Sequence, residues 1–424
     1  MSGRREADIV VVGAGAAGLA AAAAARAGGL DVVLLEAKDR IGGRAFTDPT
    51  GLPSGPFDVG CHWMHDASEN PFTAVALATG CGFRNKTHPG RMPHWLALGG
   101  RLADAAERHA VADYYAASFE AIRAAGERGE DRPALDVIDA ASPHYPLFHG
   151  WCAAIMAVPP ARLSTLDYAT CLDTGENWPV ERGYGALIAA AFAGAEVDLN
   201  CPVRRIDRSG PRLRVETDRG AIDAEDVILA VSTTVLADEA IRIEPGLPDD
   251  VRAALDAVRL GHAERIGVSL DAKLDGLGDH VAGHILTKAG DEIGLMIHEF
   301  GRAELTGYLS GDLARDLGSA GPEAAFAFHR DALKDIFGSG IEARITGWAA
   351  SQWSGDPDIR GAYSAARPGQ AALRARLSEP VDERLHLAGE ATHPNRFASA
   401  HGAYSSGLRA VSAVRARRKA AGLE

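Results

Sequence analysis

Residues 58–65 read DVGCHWMH and bring Cys61, His62 and His65 close together. Thiols and imidazoles at that spacing have three readings: a metal site, a piece of core, or the wall of a cavity. A zinc site needs about four ligands, and no other Cys/His spacing in the chain supplies the rest. We therefore expect no metal. The local residues alone leave His62 and His65 open between core and cavity wall.

A second set of residues points to a ligand more directly. Gly13-Ala14-Gly15-Ala16-Ala17-Gly18 spells GxGxxG. The first glycine allows a tight turn, the second lets backbone approach a pyrophosphate, and the third packs helix against strand. A helix N-terminus behind them offers unpaired N–H groups to the anion. Glu36 follows further on, where a carboxylate can accept both hydroxyls of an adenosine ribose and repels a 2′-phosphate. Dinucleotide binding is the expectation, with a purely structural turn as its alternative.

These residues need elements to hold them. ADIVVVG (7–13) is an apolar run of strand length, AAGLAAAAAARAGG (16–29) a helix closed by two glycines, and LDVVLLE (30–36) a second buried strand. Together they make a βαβ unit. Residues 101–126 predict a helix, with Val111, Tyr115, Phe119 and Ile122 on one stripe. Residues 127–147 read as a loop and 197–231 as short β-segments ending in a buried strand. Helices are expected over 249–259, 321–337 and 402–418, and a strand over 263–272. On that strand Arg265 shares a side with Gly267 and Ser269, opposite Ile266, Val268 and Leu270.

The chain has 424 residues, is 46% hydrophobic and carries a formal net charge of −13. Such a composition supports a large core, and an acidic surface argues against nucleic acid. Five scattered cysteines without a CxxC fit a reducing compartment. The alanine-rich run at 16–25 is too short to span a bilayer, and no signal-peptide layout precedes it. A cytoplasmic protein without stable membrane insertion, monomeric or homodimeric, is expected.

From Glu36 onward the sequence resembles the flavin-dependent amine oxidases. EAKDRIGGR (36–44) matches that family's FAD site, which implies cofactor contacts from Ala37, Arg40, Gly43 and Arg44. LHLAGEATHPNRFASAHGAYSSGLRA (385–410) is similar to its FAD-binding tail. There Gly389, Glu390, Ser399 and Ala400 approach the flavin, and a helix beginning near Ala400 stabilises negative charge on the ring. WSGDPDIRGAYS (353–364) resembles the family's Trp-x-x-Asp-Pro-x-x-x-Gly-x-Tyr-Ser, most closely in polyamine oxidases and flavin-type lysine demethylases. The resemblance sets Trp353 along the flavin and Tyr363 over its face. Val203 takes the place of a valine that meets the adenosine half. Gly60, Trp63, His65, Asn70 and Pro71 match a polyamine-oxidase stretch whose histidine faces the substrate. Some monoamine oxidases carry a flavin-linked cysteine where this chain has Ala362, so the implied FAD is noncovalent.

The resemblance implies an α/β fold with an α+β second domain. A GxGxxG Rossmann-like FAD-binding domain (1–85, 181–262 and 345–424) would interweave with a substrate-binding domain of mixed sheet plus helices (86–180 and 263–344). The implied reaction oxidises an amine C–N bond to an imine, hydrolysed to a carbonyl and an amine, with O2 reduced to H2O2. Two departures stand out. Arg265 occupies the family's usual lysine position and cannot act as a base, which leaves the electron acceptor open. Ser399 lies where many monoamine oxidases have a second aromatic ring. Glu176, Glu181 and Glu299 are read as solvated rather than as polyamine-binding acids. A C–C desaturase of the same fold using another acceptor, and a nonenzymatic FAD-binding protein, are the alternatives.

Overall fold

The computed structural model describes residues 5–85 and 95–422; the expected domain boundary between 85 and 86 abuts residues 86–94, outside that range. Two seven-stranded sheets dominate. The first runs Arg242–Glu244, Val203–Asp207, Leu213–Thr217, Gly220–Leu229, Arg5–Val12 and Val32–Leu35, with Leu385–Leu387 beside Gly220–Leu229. Arg5–Val12 pairs in parallel with both its neighbours, and Ile9–Val12 and Val32–Leu35 are buried throughout. That burial on both faces is why these strands read as unbroken apolar runs.

Small residues let two helices close over this sheet. Ala16–Ala27 lies against the C-terminal helix Ala400–Ala420. A Cβ on Gly407 would sit 2.1 Å from the Ala17 carbonyl oxygen, so only glycine admits this approach.

The second sheet runs Ile345–Ala350, Ala263–Leu270, Glu304–Ser310, Glu292–Ile297, Val281–Leu286, Trp95–Leu98 and Arg101–Leu102. Ile345–Ala350, expected with the nucleotide half, pairs here with Ala263–Leu270. Arg101–Leu102 is a strand too, so the predicted helix starts later, as Ala105–Glu127 behind an Asp104–Glu107 capping box. Its stripe of Val111, Tyr115, Phe119 and Ile122 is fully buried. The loop expected over 127–147 contains a turn of 3-10 helix at Ala134–Val137 and the start of helix Tyr145–Met156. Pro146 falls in that helix's first turn, where its missing N–H costs nothing. Among the described residues no helix is long and apolar enough to cross a membrane.

Candidate active site

At the end of strand Arg5–Val12 the chain turns through Gly13 at φ +99, a conformation that favours glycine. A Cβ on Gly18 would lie 1.8 Å from the Gly13 carbonyl oxygen, whereas one on Gly15 would meet only the Gly42 oxygen at 3.9 Å. Gly18 therefore serves packing, and Gly15 leaves a cradle open. Helix Ala16–Ala27 starts beside that cradle with no side-chain cap on its first N–H groups, which suits an anion. Glu36 accepts from the Ala14 amide at 2.7 Å and the Lys38 amide at 2.9 Å. Burial pushes its carboxyl up, and the two N–H groups pull it back.

The 36–46 loop is held by its own arginines. Arg40 donates to the Ile41 and Gly43 carbonyls and lies 3.9 Å over the Phe46 ring. Arg44 donates to Glu390 at 2.9 Å and to the Ala362 carbonyl. Glu390 also accepts from the Ser364 amide and hydroxyl and the Ala398 amide. Burial opposes its charge, but Arg44 and these donors hold it below the usual carboxylate range. Glu390 thus fastens three remote segments together. Ser399 caps helix Ala400–Ala420 by accepting from the Gly402 amide at 3.1 Å, and that helix N-terminus faces the same space.

At the other end stand the aromatic residues. Trp353 donates its indole N–H to the Val59 carbonyl at 3.1 Å. Gly60 is wedged beneath it: a Cβ there would lie 1.8 Å from the Arg44 carbonyl oxygen and 3.1 Å from the Trp353 ring. Tyr363 donates its hydroxyl to the Ala154 carbonyl. Trp63 stacks on Tyr308 with ring centroids 5.6 Å apart. His65 pairs through Nδ1 with Asn177 Oδ1 and shows its accessible surface to the cavity; burial pulls its pKa down, against the Asn177 bond.

Arg265 is 8% exposed. It donates to the Gly60 carbonyl at 3.3 Å and reaches the Tyr308 hydroxyl at 3.5 Å, with its guanidinium over the Phe57 and Tyr308 rings. The strand carrying it is buried on both sides, so its alternation separates two interior faces rather than inside from outside.

Beside Arg265 lies a group that sequence reasoning missed. His62 sits between Asp58 at 2.7 Å and Glu299 at 2.9 Å, all three buried. Glu299, expected in solvent, is 4% exposed. It is turned inward by a 3-10 turn whose flanking His298 and central Phe300 adopt φ +50 and φ +52. Glu176 is half-buried and Glu181 exposed. Burial opposes charge on His62, but Glu299 and Asp58 outweigh it and raise its pKa. Burial likewise opposes charge on Glu299, and His62 and Arg265 hold it low. His62 thus stabilises the fold fully below its unfolded value, near 6.5, and that contribution fades as pH rises through the higher folded value. Glu299's contribution is present above its unfolded value and fades as pH falls through the lower folded one. The stability gap between the wild type and a His62→Gln variant should therefore narrow on the alkaline side. Urea unfolding from about pH 6 to about pH 9 checks this; a flat gap would contradict a charged His62.

Of the catalytic and cofactor-contact candidates read from the sequence, all but Gly18 and Arg40 line one continuous cavity of about 1110 Å³, whereas Asn70, Pro71, Glu176, Glu181 and Glu299 do not. It runs from Glu36 and Val203 past Gly15 and Arg44 to Trp353, Tyr363 and Arg265. Its volume exceeds that of ordinary small-molecule pockets and suits an extended dinucleotide with room beyond it. The open cradle at Gly15, the buried carboxylate of Glu36 and the guanidinium of Arg44 fit the ribose and pyrophosphate of such a group. Among the described residues no cluster of three or more His, Cys, Asp or Glu side chains could hold a metal ion.

A dinucleotide cradle that opens into an aromatic chamber fits a dinucleotide-dependent oxidoreductase. Residues 16–415 match the model of the flavin containing amine oxidoreductases, and the chain belongs to that family. It is 26% identical to polyamine oxidase 4 of Oryza sativa subsp. japonica, over 97% of this chain and 89% of that protein. It is 28% identical to polyamine oxidase 2 of Arabidopsis thaliana, over 97% and 89%. The fold is shared with a putrescine oxidase bound to putrescine, at a TM-score of 0.75 and 20% identity, covering 97% of this chain and 99% of that one.

Proposed function

We propose that this flavin-dependent amine oxidase holds FAD noncovalently and oxidises the C–N bond of a small or polyamine-like amine. The imine formed is hydrolysed to a carbonyl and an amine, and O2 is reduced to H2O2. The observation that carries the reading is the single cavity joining the Gly15–Glu36 cradle to the Trp353–Tyr363–Arg265 chamber.

The flavin, when bound, supplies the two-electron acceptor. The chain supplies the rest. Gly15 and the N-terminus of helix Ala16–Ala27 take the pyrophosphate, and Glu36 the ribose. Trp63, Tyr308 and Tyr363 give the chamber an apolar wall that favours the neutral, reactive amine by desolvation. With its Nδ1–H donated to Asn177, His65 keeps a lone pair on Nε2 that can accept a hydrogen bond from an arriving amine. Arg265 stays charged and holds Gly60 and Tyr308 in place.

Aerobic incubation with a panel of primary, secondary and polyamines tests the reading. A carbonyl product and peroxide in equal amounts are expected with at least one amine; carbonyl without peroxide would move the acceptor away from O2. Ala362 stands where some relatives carry a flavin-linked cysteine, which supports noncovalent binding. Acid precipitation should therefore leave the flavin in the supernatant. Yellow colour in the pellet would contradict it.

A further inference from the structure

Five arginines line the cavity, and four of them are engaged by the protein. Arg44 pairs with Glu390, Arg204 with Asp218 at 2.8 Å and Arg360 with Asp238 at 2.9 Å. Arg265 donates to the Gly60 carbonyl and helps hold Glu299 ionised. The fifth, Arg123, stands near the end of helix Ala105–Glu127 and is half-buried. Among the described residues it has neither a hydrogen bond nor an ion-pair partner. Its guanidinium lies 5.2 Å over the ring of Tyr168, another cavity residue. A guanidinium withdrawn from water without a counter-ion is a place for an anion.

The carboxylates of the same cavity leave little for a second ammonium. Glu36 accepts two amides, and Glu390 takes Arg44. Glu264 accepts from the Ser351 hydroxyl and from the Trp353 and Ser354 amides. Asp358 lies 3.5 Å from Lys38. Asp173 accepts from the Gly175 amide and is exposed, where solvent screens its attraction. The unengaged charge that meets the far end of a substrate is therefore positive. It attracts an anion and repels a further cation.

We propose that Arg123 anchors a carboxylate on the substrate, so that the amine oxidised is an ω-amino acid rather than a diamine or polyamine. The inference rests on the amine-oxidase reading above and narrows its substrate class. The planar fork of Arg123 takes the carboxylate in two parallel N–H···O bonds, and the Tyr168 ring beside it steadies the guanidinium. The aromatic residues assigned to the reacting end are Trp63, Tyr308, Trp353 and Tyr363, not Tyr168. The carboxylate is thus held apart from the nitrogen, which disfavours α-amino acids, whose two groups share one carbon.

The test measures kcat/KM for n-alkylamines, ω-aminoalkanoates and α,ω-diaminoalkanes of matched carbon number, with the wild type, Arg123→Gln and Arg123→Glu. Charge-assisted contacts of this kind are worth at least about tenfold. The wild type should therefore prefer the aminoalkanoate to the alkylamine by at least about tenfold at its optimal length, and should handle the diamine worst. Arg123→Gln should lose that preference, and Arg123→Glu should reverse it in favour of the diamine. Each preference is a ratio within one protein, so a general loss of folding or flavin cancels. Unchanged ratios in both variants would give Arg123 a structural role and overturn the anchor. So would a wild type that prefers diamines or α-amino acids, a result that needs no variant to fold. Oxidation of alkylamines with no gain from the carboxylate removes only the anchor. Failure to oxidise any amine with flavin bound would remove the amine-oxidase reading as well.

Discussion

Replacing Gly15 with valine should yield a folded protein that no longer holds flavin. Gly15 has φ −73, which any residue adopts, and an added Cβ would meet only the Gly42 oxygen at 3.9 Å. The protein itself thus has room for a Cβ at this position. The cost to the fold is a poorer cap on helix Ala16–Ala27, about 1 kcal/mol. The cost to the cofactor is far larger, because the side chain fills the space the pyrophosphate must enter. We expect at least about a 100-fold loss of FAD affinity, equivalent to about 2.7 kcal/mol. Fluorescence titration with FAD and thermal melting of the same sample separate the two effects. Gly18→Ala is the contrasting control. Its Cβ would lie 1.8 Å from the Gly13 carbonyl oxygen, so it should lose the fold together with the cofactor. Wild-type FAD affinity in Gly15→Val would show that the cradle is not the pyrophosphate site.

Replacing Arg265 with methionine should cost about 3 kcal/mol, the usual lower range for removing one member of a buried charge group. Arg265 is buried among Asp58, His62 and Glu299, and its charge helps keep Glu299 ionised. Methionine fills similar volume but leaves two carboxylates facing one imidazolium. Arg265→Lys keeps the charge and loses the forked contact with Gly60 and Tyr308, so it should fall between the two. Urea unfolding near neutral pH gives the stability, and stopped-flow flavin reduction and reoxidation give the two half-reactions. A Met variant within about 0.5 kcal/mol of wild type would show that Arg265 is no charge counterweight.

The parts of this site visible in the sequence are those with local signatures. GxGxxG between a strand and a helix needs its glycines at fixed offsets, and Glu36 ends a strand whose burial is written in its residues. Arg265 was legible as a site candidate because it falls where the resembling family has a lysine; its strand is buried on both sides, so alternation alone marked no face as the site. Tyr308 was not, because its place comes from register: it faces Arg265 only once Glu304–Ser310 pairs with Ala263–Leu270. Glu299 was misplaced for a similar reason. Its inward turn depends on positive φ at His298 and Phe300, which no local pattern announces, and its partner His62 lies more than two hundred residues earlier. The pairing of strand Ile345–Ala350 with Ala263–Leu270 was not legible either, because a sheet edge recruits by geometry rather than by adjacency in the chain.

The most direct measurement is anaerobic: the purified yellow protein is titrated with amines and the oxidised flavin absorption is followed. Bleaching by at least one amine, at one equivalent per flavin, is the predicted result. Unchanged absorption with every monoamine, diamine and polyamine tried would contradict a cavity that brings an amine to the flavin.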